Sequence, residues 1–243
     1  MEYHLDKDYT MRVAEHLGNP KKEKIYKSYP IEEISEMSFT NPNCVLLIKD
    51  LNSKLQRPAL GIPDTKFVLL DDRAKMITKA PIRVIDLSLL ELHNSHTFWD
   101  IGACTGSVSI EARRQYPHLH IQAFEVREEC KNIIRANARL HSAPGIDLRI
   151  GNFLNLSIEE NTIVDAVFIG GHGGKLKEIV CKVASHLDSL HGKIVFNSVS
   201  EESSKLFREA VEENGLKLRS EMNITVDSHN PITILCATGK HHV

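Results

Sequence analysis

The chain contains 243 residues, 42% of them hydrophobic, which is enough to bury a substantial core and to form one or two domains. Its 30 basic and 32 acidic residues are interspersed and give a net charge of −2, which argues against a surface built for nucleic acid. The amino terminus lacks the apolar core of a signal peptide, and no run reaches the roughly twenty apolar residues of a membrane span, so no membrane partner is expected.

Residues 1–55 differ in pattern from the rest of the chain. They contain one clear strand pattern, CVLLIKD at residues 44–50, and then a polar stretch that is typical of a linker. Roughly fifty residues can barely close a core alone, so we expect them to pack on the next domain or to be the remnant of a larger one. The predicted division is an N-terminal segment over residues 1–55 and a main domain over residues 56–243.

A helical pattern opens the main domain. Pro81 suits the first turn of this helix, where its missing N–H would be unpaired anyway. Thr78 is then a candidate helix cap. The apolar residues at helical spacing are Ile82, Ile85, Leu89 and Leu92.

The stretch TFWDIGACTG, residues 97–106, joins an apolar run to an acid and to glycines where the next helical pattern begins. Such a strand and turn bring backbone close to a nucleotide-like ligand. The third glycine of the dinucleotide fingerprint G-x-G-x-x-G is absent, which disfavours a pyrophosphate. Glu125 ends the following strand, and its carboxylate can accept hydrogen bonds from both hydroxyls of a ribose. A tight turn without a ligand is the alternative, and this second acid makes a binding loop the favoured interpretation.

Helical and strand patterns alternate from residue 107 onward. This alternation predicts an α/β fold with a parallel sheet and right-handed crossovers. A terminal pair of strands, residues 216–229 and 231–239, predicts a closing hairpin. The other strands are expected over residues 97–101, 119–125, 146–150, 162–171 and 192–199, and the helices over residues 107–116, 127–140, 175–190 and 201–215.

The loop FIGGHGGKL carries four glycines around His172 between a buried strand and a helix. Each glycine costs conformational entropy on folding, so packing alone explains this loop poorly. We therefore expect something to approach its backbone closely. These glycines are Gly170, Gly171, Gly173 and Gly174.

The spacing D-x-G-x-x-x-G, followed by an acid at the end of the next strand, resembles the class I S-adenosylmethionine methyltransferases. A closing hairpin on a parallel sheet is typical of that fold. The resemblance implies S-adenosylmethionine as cofactor and a Rossmann-like, mostly parallel seven-stranded sheet. The cofactor-binding residues that it implies are Thr78, Asp100, Gly102, Ala103, Cys104, Thr105, Gly106, Glu125, Asn152 and Phe153.

The motifs GIPD, ITK, WDIGACTGSVSIEA and D-x-x-F-I-G-G-x-G-G resemble the decarboxylating precorrin methyltransferases of cobalamin biosynthesis. This resemblance implies methylation of carbon 15 of a tetrapyrrole, loss of carbon dioxide from its C12 acetate arm, and a homotetramer. Besides the four glycines, Lys79 and Arg83 are candidate substrate-binding residues. The chain departs from the family at Cys104, usually glycine, at Asn152, usually aspartate, and at His172, usually serine.

His172 is the candidate catalytic residue, because an imidazole can donate a hydrogen bond to a substrate carboxylate or shuttle a proton near neutral pH. Alternatively, its side chain could point into solvent. The segments MRVAEHLG and IEEI, with the strand that follows them, resemble the end of a tetrapyrrole methylase domain. Most of that domain is missing here, so no second methylation activity is expected.

Other functions remain open at this stage. The chain could be a methyltransferase for another acceptor, such as a tRNA base or a small heterocycle, or a non-catalytic subunit that binds the cofactor. The absence of an N-P-P-Y tetrapeptide and of a basic tract weighs against nucleic acid. The thirteen histidines show no metal-ligand spacing, so no metal is expected. Five scattered cysteines, none in C-x-x-C spacing, indicate reduced thiols and a cytoplasmic protein.

Overall fold

A computed structural model describes residues 9–49, 59–72, 76–227 and 231–239. The chain divides into two compact units, one before residue 58 and one from that residue onward. The predicted polar linker after Lys49 lies outside the described residues.

The N-terminal unit is a small antiparallel sheet. Its central strand, β1 (Tyr9–Glu15), pairs along its whole length with β4 (Asn43–Lys49), which confirms the strand predicted there. On its other side β1 pairs with two short strands, β2 (Lys24–Ile25) and β3 (Tyr29–Pro30), and helix α1 (Ile31–Ser35) follows β3. Sequence reasoning missed β1.

The larger unit alternates strands and helices after an opening helix. Its elements are α2 (Ala80–Leu89), β5 (Thr97–Ile101), α3 (Ser107–Gln115), β6 (His120–Glu125), α4 (Cys130–Leu140), β7 (Ile146–Ile150), β8 (Ala166–Ile169), α5 (Leu176–Ala184), β9 (Lys193–Ser198), α6 (Glu201–Glu213), β10 (Lys217–Ile224) and β11 (Ile232–Thr238).

The predicted sheet is confirmed. Seven strands lie in the order β10-β11-β9-β8-β5-β6-β7. The pairs from β9 to β7 are parallel, whereas β11 runs antiparallel to both β9 and β10. Neighbouring residues on β5 face opposite layers. Phe98 packs with residues of α2 and α3, and Trp99 packs with residues of α5 and α6.

Several elements are shorter than expected. The strand predicted over residues 216–229 is regular only over Lys217–Ile224. The strand predicted over residues 162–171 is regular only in β8, and Val164 adds an isolated bridge to Leu187. The helix predicted over residues 175–190 ends at Ala184. Further along, the carboxylate of Asp188 accepts from the N–H groups of Leu190 and His191 in a turn.

The predicted cap of α2 is wrong. The N-cap residue is Lys79 rather than Thr78, and it makes no side-chain capping bond. Instead the carboxylate of Asp64, from the preceding turn, accepts from the N–H of Ala80 at 3.0 Å. A side chain distant in sequence thus satisfies a donor that the helix leaves unpaired. Pro81 does lie in the first turn, as predicted.

Strand order reverses at β5, whose neighbours β6 and β8 are reached in opposite directions along the sheet. Loops at the carboxyl ends of such strands diverge and leave a crevice, the usual place for a ligand in open α/β sheets. The fold therefore puts the two glycine loops, which follow β5 and β8, on the two sides of one crevice.

Candidate functional site

A cavity of about 560 Å³ occupies this crevice. It is bordered by the ends of β5 to β9 and by the residues just before α2. The predicted site residues that line it are Thr78, Lys79, Asp100, Gly102, Ala103, Cys104, Thr105, Glu125, Asn152, Phe153, Gly170, Gly171, His172 and Gly173. Their spacing along the chain is wide, so the fold itself brings them together.

Arg83 does not belong to this set, and its predicted substrate contact is wrong. Its side chain is wholly buried, and its guanidinium binds Glu111 and Asp64, each at 2.8 Å. It also donates to the carbonyl groups of Ile62 and Thr78. With these partners Arg83 holds the chain before α2 in place, and it reaches the cavity only indirectly through Thr78.

Gly106 and Gly174 also lie outside the cavity lining, contrary to prediction. Gly106 is the N-cap of α3 at φ 74°, and a Cβ there would lie 3.0 Å from the side chain of Ile134. Gly174 has φ 79°, and its N–H donates to the ring of His172. Both glycines serve turns with a backbone conformation that favours glycine, rather than a ligand.

The two glycine loops contact each other. A Cβ on Gly102 would lie only 2.6 Å from the backbone nitrogen of Gly171, so no larger residue fits there. The close approach expected at these glycines is therefore partly an approach of one loop to the other. At Gly173, by contrast, a Cβ would meet nothing within 4 Å, and the backbone borders open cavity.

Asp100 forms the buried floor between the loops. One carboxylate oxygen accepts from the hydroxyl of Ser109 at 2.6 Å and from its N–H at 3.1 Å. The other oxygen is buried and has no hydrogen-bond partner among the described residues. Burial raises the pKa of Asp100 to about 6, despite the opposing bonds from Ser109.

Cys104 stands in the first glycine loop with φ 50°, a left-handed conformation that is strained for a residue with a Cβ. This geometry accounts for the glycine that the resembled family usually has here. The N–H of Cys104 donates to Glu125 at 2.8 Å, and burial raises the pKa of its thiol. The contact of Cys104 with Glu125 is thus made by its backbone.

Glu125 ends β6 with a side chain that is only 1% exposed. Arg127 grips it with two nitrogens of its guanidinium, Nε at 2.8 Å and Nη2 at 3.0 Å, and adds its backbone N–H at 3.0 Å. Burial alone would raise the pKa of Glu125, but the bonds from Arg127 and Cys104 hold it below its ordinary value. Glu125 is therefore an anion in the cavity wall.

Asn152 and Phe153 line the cavity next to Glu125. The side-chain oxygen of Asn152 accepts from the N–H of Leu154 at 3.0 Å, which leaves it one further lone pair. Phe153 is 5% exposed and packs edge-on against Trp99 and Phe124. This ring is both part of the core and part of the cavity lining.

His172 projects from the second glycine loop, with its ring edge-on to Phe196. Its Nδ1 accepts from the N–H of Gly174 at 3.2 Å. Burial lowers the pKa of His172, so the ring is neutral at pH 7. Because Nδ1 accepts, the ring proton is carried by Nε2, which is then a hydrogen-bond donor.

Sequence reasoning missed three polar residues of the lining, Ser107, Arg127 and Asn197. Arg127 lies only two positions after Glu125, and this short spacing is a signal in the sequence that could have identified it. Asn197 donates to the carboxylate of buried Asp86 at 2.7 Å. These residues are 111 positions apart, and no local pattern could have paired them.

Within the ranges that the structure describes, no three His, Cys, Asp or Glu side chains cluster as a metal site would require. A search of the same ranges finds no helix with the length and apolar character of a membrane span.

Sheet order, antiparallel hairpin, glycine loop and strand-end acid together define the class I methyltransferase fold. More particularly, the chain belongs to the precorrin methyltransferase domain family, whose model matches residues 71–236. This fold and family are those of enzymes that use S-adenosylmethionine.

Named relatives agree with this family. The chain is 35% identical over 127 residues to the cobalt-precorrin-6B C(15)-methyltransferase (decarboxylating) of Salmonella typhimurium, a match that spans 52% of this chain and 64% of that protein. It is 32% identical over 166 residues to a probable enzyme of the same name from Thermoplasma volcanium, covering 68% of this chain and 78% of the relative.

A solved structure of the same kind superposes well. The precorrin-6y C5,15-methyltransferase structure from Geobacter metallireducens matches with a TM-score of 0.67 and 33% identity. The match covers 76% of this chain and all of that one.

Proposed function

We propose that this protein transfers the methyl group of S-adenosylmethionine to carbon 15 of a precorrin and that the product loses carbon dioxide from the C12 acetate arm. The observation that carries the proposal is that one cavity joins an anionic Glu125 at one end to an open glycine loop with His172 at the other. The names of the relatives supply the acceptor and the decarboxylation.

The described residues fit the cofactor. Glu125 would hold the two ribose hydroxyls, Asn152 and Phe153 would border the adenine, and the loop from Gly102 to Thr105 would lie along the methionyl part. The close contact of Gly102 with Gly171 keeps both loops free of side chains at the centre of the cavity. Bound S-adenosylmethionine would supply an electrophilic methyl group on a positively charged sulfur.

The acceptor would lie against the second glycine loop. Gly173 borders open space, so a flat ring can approach its backbone. Two cations of the lining, Lys79 and Lys175, could pair with the many carboxylates of a corrin precursor, although each already has an acidic neighbour, Asp64 at 3.6 Å and Glu178 at 3.2 Å. If a substrate carboxylate took the place of the acidic neighbour, the lysine would still have an ion pair, so little pairing energy would be lost.

The proposed reaction mainly requires that the acceptor carbon and the methyl group be aligned. A precorrin carbon that is part of an enamine is already nucleophilic, so no protein nucleophile is needed, and holding it in line with the methyl group is worth several kcal/mol. Charge on sulfur disperses during transfer, so the apolar lining from Ile101, Phe124 and Phe168 does not oppose the reaction. The conjugated ring itself accepts the electrons that decarboxylation releases.

His172 would act as a neutral donor. Its Nε2–H, fixed by the Nδ1 contact with Gly174, can hydrogen-bond a carboxylate of the acceptor and orient the acetate arm. It holds the proton rather than transferring it, because the lowered pKa leaves the ring uncharged at pH 7. The homotetramer implied by the sequence resemblance is part of this proposal and is tested by the mass of the protein in solution.

The test is turnover followed by mass spectrometry. Precorrin-6B or its cobalt form, incubated with the protein and S-adenosylmethionine, should gain one methyl group and lose one carbon dioxide. The Glu125→Ala variant, which lacks the ribose-binding carboxylate, is the matched control and should show a modestly higher KM for the cofactor, because Arg127 still occupies the ribose position. An unchanged precorrin mass, with methylation of a tRNA or a small heterocycle instead, would replace the proposed acceptor.

A further inference from the structure

We infer that Arg127 occupies the ribose position of the cofactor site and that its guanidinium must leave Glu125 before a ribose can bind. This inference rests on the proposed function, because it concerns how the same cavity receives S-adenosylmethionine. It makes Arg127 a residue that sets the affinity and the diol specificity of the cofactor site.

The hydrogen bonds to Glu125 account for its whole accepting capacity. A carboxylate offers about four lone-pair positions on its two oxygens. In the structure Oε2 accepts from the N–H of Cys104 at 2.8 Å and from Nη2 of Arg127 at 3.0 Å, and Oε1 accepts from the N–H of Arg127 at 3.0 Å and from its Nε at 2.8 Å. All four positions are taken.

Two of these four bonds come from the backbone and two from the guanidinium. The backbone donors belong to the first glycine loop and to the residues just after β6, so we expect them to stay in place when a ligand binds. The guanidinium bonds are the exchangeable ones. They reach one oxygen each, which is the pattern that two neighbouring hydroxyls of a ribose would make.

Access to Glu125 leads past the same side chain. Arg127 is 29% exposed, whereas Glu125 is 1% exposed. Both residues line the cavity. Arg127 also approaches the sulfur of Met76 through Nη1 at 3.8 Å, across the cavity from β6. A ligand that enters the cavity therefore meets the guanidinium before it meets the carboxylate.

The exchange has a definite energetic consequence. When a ribose binds, its two hydrogen bonds to Glu125 replace the two that the guanidinium makes. The net gain in binding free energy from the two hydroxyls is therefore small while Arg127 is present. Without the guanidinium, Glu125 would offer two empty lone-pair positions in a buried wall, and the same hydroxyls would bind more strongly. Removing a side chain from the binding site should thus tighten binding.

Calorimetric titration with S-adenosylhomocysteine tests this. The Arg127→Ala variant should bind about fivefold more tightly than the unaltered protein, the order expected for loss of a partly exposed ion pair. In a Glu125→Ala background the same change should have no effect on the Kd, because there is no carboxylate for the loss of the guanidinium to expose. Arg135→Ala, which removes an exposed arginine of α4 outside the cavity, is the matched control for net charge and should leave the Kd unchanged.

A second arm isolates the hydroxyl groups. The ratio of the Kd values for 2′,3′-dideoxyadenosine and adenosine should rise severalfold in Arg127→Ala, since only the diol profits from the uncovered carboxylate.

Weaker or equal binding of S-adenosylhomocysteine by Arg127→Ala, with normal binding by the unaltered protein, would overturn the inference and leave the proposed function standing. No binding by either protein at millimolar ligand would overturn both. Binding by Arg127→Ala alone would support both.

Discussion

At the scale of single residues, Asp100 is a side chain whose burial lowers the stability of the folded protein. Its folded pKa of about 6 lies above the ordinary aspartate pKa of 3.8, so the acid ionises more readily when the protein unfolds. The contribution of Asp100 to stability should therefore fall as pH rises from about 4 to 6 and stay lower above that range.

Asp100→Asn cannot ionise and keeps an oxygen for Ser109. It should match the unaltered protein near pH 4 and exceed it at pH 7 by at most about 3 kcal/mol, the free energy of two pKa units. Urea unfolding at the two pH values measures this. A constant difference between the two proteins would contradict the account.

His172 offers a prediction about activity. His172→Ala removes the Nε2–H donor and should lower kcat for the proposed methyl transfer about tenfold, the value of one good hydrogen bond. His172→Gln keeps an N–H donor and should lose less. The Kd for S-adenosylhomocysteine should change in neither variant. Full kcat in the alanine variant would show that the ring faces solvent.

The pH dependence follows from the direction of the His172 pKa. Because burial lowers this pKa, the ring should gain its proton only below the ordinary range of histidine. Protonation at Nδ1 would break its contact with the N–H of Gly174, which fixes the ring, so activity should be constant around pH 7 and fall in more acidic solution. That fall should be absent from the residual activity of His172→Ala.

At the scale of elements, the two glycine loops differ in what their glycines do. In Gly102→Ala the new Cβ would lie 2.6 Å from the nitrogen of Gly171 and 2.9 Å from its Cα. We expect a loss of about 2 to 4 kcal/mol in stability and weaker binding of S-adenosylhomocysteine. Gly173→Ala meets nothing within 4 Å and should lose only about 1 kcal/mol, the strain of its φ of 53°. Equal losses would contradict the loop contact.

The segment before α2 is fixed to the helices by buried side chains. Glu111 on α3 accepts from the N–H groups of Gly61 and Ile62 and from Nε of Arg83, and Asn137 on α4 binds both backbone groups of Val68. These bonds position the residues that lead to Thr78 and the cavity wall.

Arg83→Met should therefore destabilise the protein by about 3 to 5 kcal/mol, because it leaves the buried carboxylate of Glu111 without its cation. Arg83→Met combined with Glu111→Gln removes the stranded charge and should recover part of that loss. Denaturant unfolding of the two variants provides the comparison. No recovery in the double variant would show that the unpaired charge of Glu111 does not cause the loss of stability.

Sequence and structure agree where chemistry follows a local pattern. Glu125 was identified because an acid at the end of a strand stands at a fixed distance from a glycine loop. Arg83 was misassigned because a cation on a helix before the site suggests a substrate contact. Its acidic partner, Glu111, lies in the apolar pattern of α3, and only the fold shows that the two meet. Thr78 lost its capping role for the same reason, since Asp64 reaches the helix from sixteen residues away.

At the scale of the whole molecule, the alternation of strand and helix patterns is enough to predict a parallel sheet with crossover helices. The mostly parallel seven-stranded form, which the structure has, is what the resemblance to the class I methyltransferases implies. The N-terminal unit was less predictable. Its central strand has only two buried residues, Val13 and Glu15, so no clear apolar period marks it. The predicted likeness of residues 1–55 to a tetrapyrrole methylase domain stays a prediction.

One physical claim is central: the cavity between the glycine loops receives an adenosyl cofactor whose ribose is held by Glu125. A crystal structure of the protein with S-adenosylhomocysteine tests it most directly. We predict both ribose hydroxyls within hydrogen-bond distance of the Glu125 carboxylate and the guanidinium of Arg127 displaced from it. A ribose bound elsewhere, or Glu125 still paired with Arg127 beside the bound ligand, would contradict the claim.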